Sequence, residues 1–140
     1  MKSSIFGLAV SLGLCAALGP ISLKAQMPGP IHAKIPFGFT VGSQSFAAGE
    51  YEVRQVASSV LAIRGADHRS STMAMTHAAN PTAAPGHASL TFNKYGDRYF
   101  LSRISDDSRG WQLPASAVEK ELIAKKASPK PVTVDAGGDQ

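Results

Sequence analysis

Histidine side chains are the first candidates for chemistry in this chain of 140 residues, because imidazole is the commonest protein ligand for transition metals. His77 and His87 flank a segment rich in alanine and proline, and that segment could bring the two rings together. Structural and catalytic zinc sites need three or four protein ligands, and the sequence offers no third ligand near this pair. We therefore interpret the histidines as solvated loop residues and predict neither a metal site nor a cofactor.

Two pairs of carboxylates have a spacing that suits acid–base catalysis. Glu50 and Glu52 lie two positions apart in a predicted strand, hence on one face, and Asp106 and Asp107 are adjacent in a predicted loop. Such pairs hydrolyse glycosides when one carboxyl group is desolvated. Because Arg54 continues the polar face of the strand, a solvated surface explains the glutamates equally well. We predict a non-enzymatic protein, with a carboxylate-dependent hydrolase as the alternative.

A binding platform is the third candidate, formed by aromatic and arginine side chains. Tyr95 and Trp111 lie close in sequence to Arg98 and Arg109. Aromatic faces and guanidinium groups suit both sugars and peptides. The ordinary role of such residues is to seal the edge of a small core, and we favour that role. These four residues are nevertheless the predicted binding residues.

The N-terminal segment has the pattern of a secretory signal peptide. Lys2 precedes an apolar run from Ile5 to Leu18, and Ala25 suits the residue before a cleavage site. The run is too short for a permanent membrane anchor. A lipoprotein acylated at Cys15 is a weaker alternative, because Leu14 is larger than the residue expected before such a cysteine. We predict that residues 1–25 direct export, to the periplasm or to the outside of the cell.

Removal of residues 1–25 changes what the composition implies. Cys15 is the only cysteine, so the mature chain has no disulfide and no thiolate chemistry. Lys2 and Lys24 are also lost, which lowers the formal net charge from +4 to +2. This small excess of positive charge is weak support for nucleic-acid binding, which needs a clustered basic patch. We predict no nucleic-acid partner and no integral membrane span.

Alternating hydrophobic residues predict a mainly β domain over residues 33–126. Apolar residues at every second position are typical of strands with one buried face. We expect about six to seven short strands in an antiparallel sandwich or partly open barrel. The strands that the alternation marks are 35–41, 50–56, 60–64, 72–76, 90–95 and 98–104.

Three local features make sharper predictions. Gly96-Asp97 predicts a tight hairpin in which Tyr95 lies opposite Arg98 and Phe92 opposite Leu101. The pattern also predicts that Met73 and Met75 pack in the core. A capping box made by Ser116 and Glu119 begins the one predicted helix. Residues 26–32 are predicted to be a flexible lead-in and residues 127–140 a disordered tail.

The chain resembles a family of small exported bacterial proteins of unknown function. The segment 35–42, Ile-Pro-Phe-Gly-Phe-Thr-Val-Gly, is similar to the family's opening, and 46–51, Phe-Ala-Ala-Gly-Glu-Tyr, is similar to its next motif. The segment 95–101, Tyr-Gly-Asp-Arg-Tyr-Phe-Leu, is a third match. Gly38 stands where an aspartate is common in the family, and Phe46-Ala47 stands where Leu-Pro is usual. The resemblance implies a secreted single-domain β protein without an assigned activity.

Two functions remain open at this point. The preferred prediction is an exported, non-enzymatic β domain that binds a protein or an envelope or surface component through a strand edge or an aromatic rim. The alternative is a carrier of a small ligand with an apolar pocket lined by Phe37, Phe39, Phe92 and Met75. The two differ in their interior, because a carrier needs a cavity and a scaffold fills its core.

Overall fold

The computed structural model describes residues 29–138, which form a mainly β domain with one helix near the C-terminal end. The predicted signal peptide lies outside the described residues. The elements are β1 Ile31–Ile35, β2 Phe39–Val41, β3 Gln44–Phe46, β4 Gly49–Ala57, β5 Val60–Gly65, β6 Ser71–Met75, β7 His77–Ala79, β8 Ala88–Tyr95, β9 Arg98–Ser105, β10 Gly110–Gln112, α1 Ala117–Ala124 and β11 Lys130–Gly138.

The strands form one nearly closed, barrel-like sheet with the order β3-β2-β9-β8-β11-β1-β4-β5-β6. One side of the barrel, called sheet A, contains β1, β4, β5 and β6, and the other side, called sheet B, contains β2, β3, β7, β8, β9 and β10. The strand β11 joins them, because it pairs with β8 along most of its length and with β1 at its end. All pairs are antiparallel except β2 with β9. The predicted partly open antiparallel barrel is confirmed, and the described residues form eleven strands where six to seven were expected.

A corner divides the first predicted strand, 35–41, into two strands. β1 ends at Ile35 in sheet A, and β2 begins at Phe39 in sheet B. Pro36 has no N–H to donate to a ladder, and Gly38 carries no side chain where the carbonyl of Phe46 passes close by. The chain therefore changes sheets between these residues. The alternation of Ile35, Phe39 and Val41 remains valid, because all three are buried.

The hairpin formed by β8 and β9 confirms the predicted register. Tyr95 pairs with Arg98 and Phe92 with Leu101, around a turn in which Gly96 adopts a φ of +60°. Phe92 is fully buried and Leu101 nearly so. This face meets an aromatic cluster, because Phe92 makes edge contacts with Phe37 and Phe39, at 5.0 and 5.4 Å between ring centroids.

Two predictions about the ends of the domain are wrong over the residues that the structure describes, 29–32 and 127–138. Residues 127–140 were expected to be disordered, but β11 pairs with β8 from Lys130 opposite Lys94 to Ala136 opposite Ala88. Its prolines and glycines suggest disorder, yet Val134 and Ala136 pack against the core and the backbone joins sheet A to sheet B. The expected lead-in, 26–32, also overlaps β1, which begins at Ile31. Tertiary pairing supplies the stability that local composition lacks in both segments.

Candidate functional site

The predicted binding residue Tyr95 lies beneath helix α1 and does not form an exposed platform. Its side chain is 6% exposed, and its hydroxyl donates a hydrogen bond to Glu119 Oε1 at 3.1 Å. Asn93 Nδ2 donates to the same oxygen at 2.9 Å. Burial, followed by the hydrogen bond to and the charge of Glu119, raises the pKa of Tyr95. The side chain therefore fastens the helix to sheet B.

The other predicted binding residues form two separate contacts at opposite ends of β9. The guanidinium of Arg98 lies 5.4 Å from the centre of the Phe100 ring, and that of Arg109 lies 5.2 Å from the buried Trp111. Trp111 pairs with Ile104, six positions along β9 from Arg98, which corresponds to about 20 Å along a strand. The structure therefore does not bring the four predicted residues together, and it buries both aromatic rings.

The candidate catalytic carboxylates also lie apart. Glu50 and Glu52 line a groove of about 600 Å³ on the outer face of sheet A, together with His32 and Lys34. His32 is opposite Glu52 and Lys34 is opposite Glu50, so the strands β1 and β4 carry complementary cross-strand partners. This arrangement is typical of a solvated sheet face.

The aspartates have local roles in the loop between β9 and β10. Asp106 Oδ1 accepts hydrogen bonds from the backbone N–H groups of Ser108 and Arg109, at 2.9 and 2.6 Å. Asp107 accepts one from the backbone N–H of Gly86 at 3.3 Å. Within residues 29–138, no group of three or more histidine, cysteine, aspartate or glutamate side chains is placed to hold a metal ion.

The residues predicted to line a carrier pocket do not share one cavity. Phe39 and Phe92 are buried and contact each other, and Phe37 stacks on Tyr99 with the ring centroids 3.8 Å apart. Met75 lies on the opposite, outer side of sheet A and is 72% exposed. The aromatic side chains thus fill the interior with one another.

The prediction that Met73 and Met75 pack in the core is wrong. Each is 72% exposed, whereas Ala74 between them is buried. The register sets this facing, because Ala74 pairs with Leu61 and Thr72 pairs with Ile63 on the inner side. A shift of one residue would reverse it. The Gly65 N–H donates to the Ser70 carbonyl and closes the turn in this register, but the residues between them indicate only that a turn is present, not which strand residues pair.

The exposed methionines belong to a continuous apolar surface on the outer face of sheet A. Met75 pairs with Val60 and Met73 with Ala62. Val56 stands beside them at the irregularity of the β4–β5 ladder, next to Ala57, which pairs with Val60, and its side chain is 41% exposed. We call these five residues, Val56, Val60, Ala62, Met73 and Met75, the methionine patch.

Arginines flank the methionine patch. Arg54 is opposite Ala62 on β4, and Arg64 is opposite Ser71 at the other end of β5. Arg54 is paired with Glu52 at 2.7 Å, so that cation is neutralised locally. The patch is therefore an apolar surface with a polar rim. This combination marks interaction sites on soluble proteins.

Strand β6 also presents a free backbone edge. It lies at one end of the strand order, and β5 is its one ladder neighbour within residues 29–138. The Gly65 N–H donates to the Ser70 carbonyl at 2.7 Å, and the Thr76 N–H donates to the Ser59 carbonyl at 2.8 Å. Hydrogen-bonded pairs alternate with non-bonded pairs in an antiparallel ladder.

It follows from this alternation that Thr72 and Ala74 bond to β5. The backbone N–H and C=O groups of Ser71, Met73 and Met75 then point away from β5, along the free edge. The same two methionines thus contribute exposed side chains and unpaired backbone groups.

A cleft of about 240 Å³ lies along this edge. Its lining combines residues 72–75 of β6 with residues 41–44 around the β2–β3 turn and with Leu113 and Pro114. All of these residues are uncharged. The free edge therefore borders an uncharged cleft that has a second wall provided by sheet B.

Comparisons of the chain with protein families, with characterised proteins and with solved structures find no match. The part of the chain that the structure describes contains no helix long and apolar enough to cross a membrane. The geometry of the patch, the edge and the cleft is therefore the basis for a functional proposal.

Proposed function

We propose that this protein is an exported, non-enzymatic β domain that binds another protein through the methionine patch and the adjoining edge of β6. The observation that carries the proposal is the 72% exposure of both Met73 and Met75 on a sheet face where neighbouring residues are also apolar. Methionine is flexible and polarisable, so it is well suited to a surface that adapts to a partner.

Two further observations support this proposal. The aromatic side chains of Phe39, Phe46 and Tyr51 contact one another inside the barrel, as expected for a scaffold that fills its core. The N-terminal pattern and the resemblance of residues 35–42 and 95–101 to exported bacterial proteins support action outside the cytoplasm. Binding in the envelope or outside the cell is the role most consistent with these features.

Site-specific photo-crosslinking in the producing cell tests the proposal. Benzoylphenylalanine placed at Met75 should form an adduct with a distinct protein, because the patch is covered in the complex. The matched control position is Ile123, which is 49% exposed on helix α1, away from sheet A. The same adduct at both positions, or no protein adduct at position 75, would contradict the proposal.

Variants of the identified complex provide a quantitative check. Met75→Glu places a charge in the apolar surface and should raise the Kd at least tenfold, which corresponds to about 1.4 kcal/mol. Ile123→Glu should leave the Kd within twofold of the wild-type value. Isothermal titration calorimetry with the purified partner measures both. Equal effects of the two substitutions would show that the patch is not the binding surface.

A further inference from the structure

The edge of β6 lacks the devices that usually prevent a sheet edge from pairing. Protected edges carry lysine, proline or a bulge, or are very short. β6 contains the five uncharged residues Ser-Thr-Met-Ala-Met and pairs regularly with β5 from Ser71 to Met75. Its free edge therefore presents a regular row of donors and acceptors at Ser71, Met73 and Met75.

The cleft beside this edge restricts what can pair with it. Its far wall contains the β2–β3 turn, Leu113 and Pro114, all contributed by chain outside sheet A. A single extended chain needs room for only one strand between the two walls. A second copy would have to bring its own β5 and the rest of its sheet into the same space, so the walls favour a lone segment over a second copy.

The chemistry of the cleft indicates the kind of segment. Its lining is uncharged, and a charged side chain inside it would lose solvation without gaining a partner. Side chains of an added strand alternate between the cleft and the outer face. On the outer face they would lie beside Met73 and Met75, which favours apolar residues there as well.

We propose that the partner presents an uncharged, extended segment that adds to β6 as a further strand and occupies this cleft. Backbone hydrogen bonds to Met73 and Met75 provide affinity, and the cleft and the methionine patch select the side chains of the segment. This inference rests on the proposed function, because it specifies the partner that the patch and edge receive.

Amide hydrogen exchange of the purified protein with a synthetic probe tests the inference. The probe is a capped peptide of alternating threonine and valine, and the control peptide has prolines in place of the central valines. The threonine–valine peptide should slow exchange at the amides of Met73 and Met75 at least tenfold. The amides of Thr72 and Ala74, already bonded to β5, are internal controls and should change less.

Substitution at one position separates edge pairing from contact with the side chain. Met73→Ala removes the side chain, whereas Met73→Pro also removes the N–H that points to the free edge. An edge strand tolerates proline where its N–H faces solvent, and circular dichroism verifies folding. Fluorescence anisotropy should show that Met73→Pro raises the peptide Kd at least tenfold above that of Met73→Ala. The exchange measurement on the wild-type protein remains decisive if Met73→Pro fails to fold.

Three outcomes would overturn strand addition, and each differs from failure of the proposed function. Binding of the peptide without protection of the Met73 and Met75 amides would indicate docking on the sheet face alone. Protection that depends on protein concentration without peptide would indicate a second copy. Absence of binding would show that the cleft does not take an extended segment. The crosslink at Met75 tests the proposed function separately in all three cases.

Discussion

The role of Tyr95 in the structure differs from the binding role that the sequence predicts. Its ring and hydroxyl suit a binding platform, but the structure buries the ring and directs the hydroxyl to Glu119. A second buried tyrosine, Tyr51, donates from its hydroxyl to the carbonyl of Ala47. Burial raises the pKa of Tyr51, and the nearby Asp67 carboxylate adds to this effect. The fold therefore keeps both tyrosines protonated to a higher pH than the unfolded chain does.

The raised pKa of Tyr95 predicts a loss of stability at alkaline pH. The folded protein retains the tyrosine proton more tightly than the unfolded chain does, so this contribution is complete below the usual tyrosine pKa of about 10. It decreases as the pH rises above that value. Tyr95→Phe removes the titrating hydroxyl, so we expect a shallower decline. Urea unfolding between pH 8 and 11.5 measures the difference.

The same titration distinguishes the role of Tyr95 from a general alkaline effect. Lysine deprotonation affects the wild-type protein and the variant alike, so their difference isolates the hydroxyl. Tyr51→Phe combined with Tyr95→Phe should flatten the decline further. Parallel curves for the wild-type protein and Tyr95→Phe would contradict the assignment.

At the scale of elements, helix α1 is attached mainly through a carboxylate. Glu119 is its most deeply buried residue at 4% exposure, while Val118 and Leu122 are half-buried. The N-cap half of the predicted capping box is confirmed, because Ser116 Oγ accepts a hydrogen bond from the Glu119 N–H at 3.2 Å, whereas the Glu119 carboxylate is directed to sheet B and not back to Ser116. The Glu119 side chain accepts from Asn93 and Tyr95 on sheet B. One residue thus belongs to both the helix start and its docking contact.

Substitution of Glu119 is expected to loosen the helix. Glu119→Ala leaves the buried hydroxyl of Tyr95 and the amide of Asn93 without their acceptor, which should lower the free energy of unfolding by about 2–3 kcal/mol. Glu119→Gln keeps an acceptor oxygen and should cost about 1 kcal/mol. Urea denaturation measures both.

An exposed residue on the same helix provides the control. Glu121→Ala removes a carboxylate that lies on the solvent side, so its effect should stay within about 0.5 kcal/mol. Equal losses for Glu119→Ala and Glu121→Ala would show that the buried contact contributes nothing beyond charge and helix propensity.

At the scale of the whole molecule, β11 joins the two sides of the barrel. It is the one strand that pairs with both β8 and β1 within the described residues, and its own residues Val134 and Ala136 pack against the core. Without it, β8 and β1 would each expose an unpaired edge. The cooperativity of the domain therefore depends on a segment whose composition alone suggests disorder.

Deletion of residues 130–140 tests this dependence. We expect loss of cooperative unfolding, because domains of this size are stable by only about 5–15 kcal/mol and the deletion opens two edges at once. Differential scanning calorimetry measures the transition. Deletion of residues 139–140 alone is the control and should leave Tm nearly unchanged. A sharp transition retained after the longer deletion would contradict the role of β11.

Features governed by neighbours along the chain were predicted well. The hairpin at Gly96-Asp97 and the cap at Ser116 depend on turn and helix-start chemistry, which involves only a few consecutive residues. The buried face of Leu61 and Ile63 also follows from simple alternation. These predictions are correct because the interactions involved join residues that are close in sequence.

The candidate site depended on pairings that the alternation of residues does not align. Alternation in 71–75 is equally compatible with either face, and the register with β5 selects the one that exposes Met73 and Met75. Tyr95 is buried because Glu119 reaches it from a helix 24 residues away in sequence. The sequence by itself thus determined the β class, the hairpin and the helix start. Only the tertiary structure decided the β11 strand, the methionine patch and the free edge, because each results from pairing between segments that local pattern cannot align.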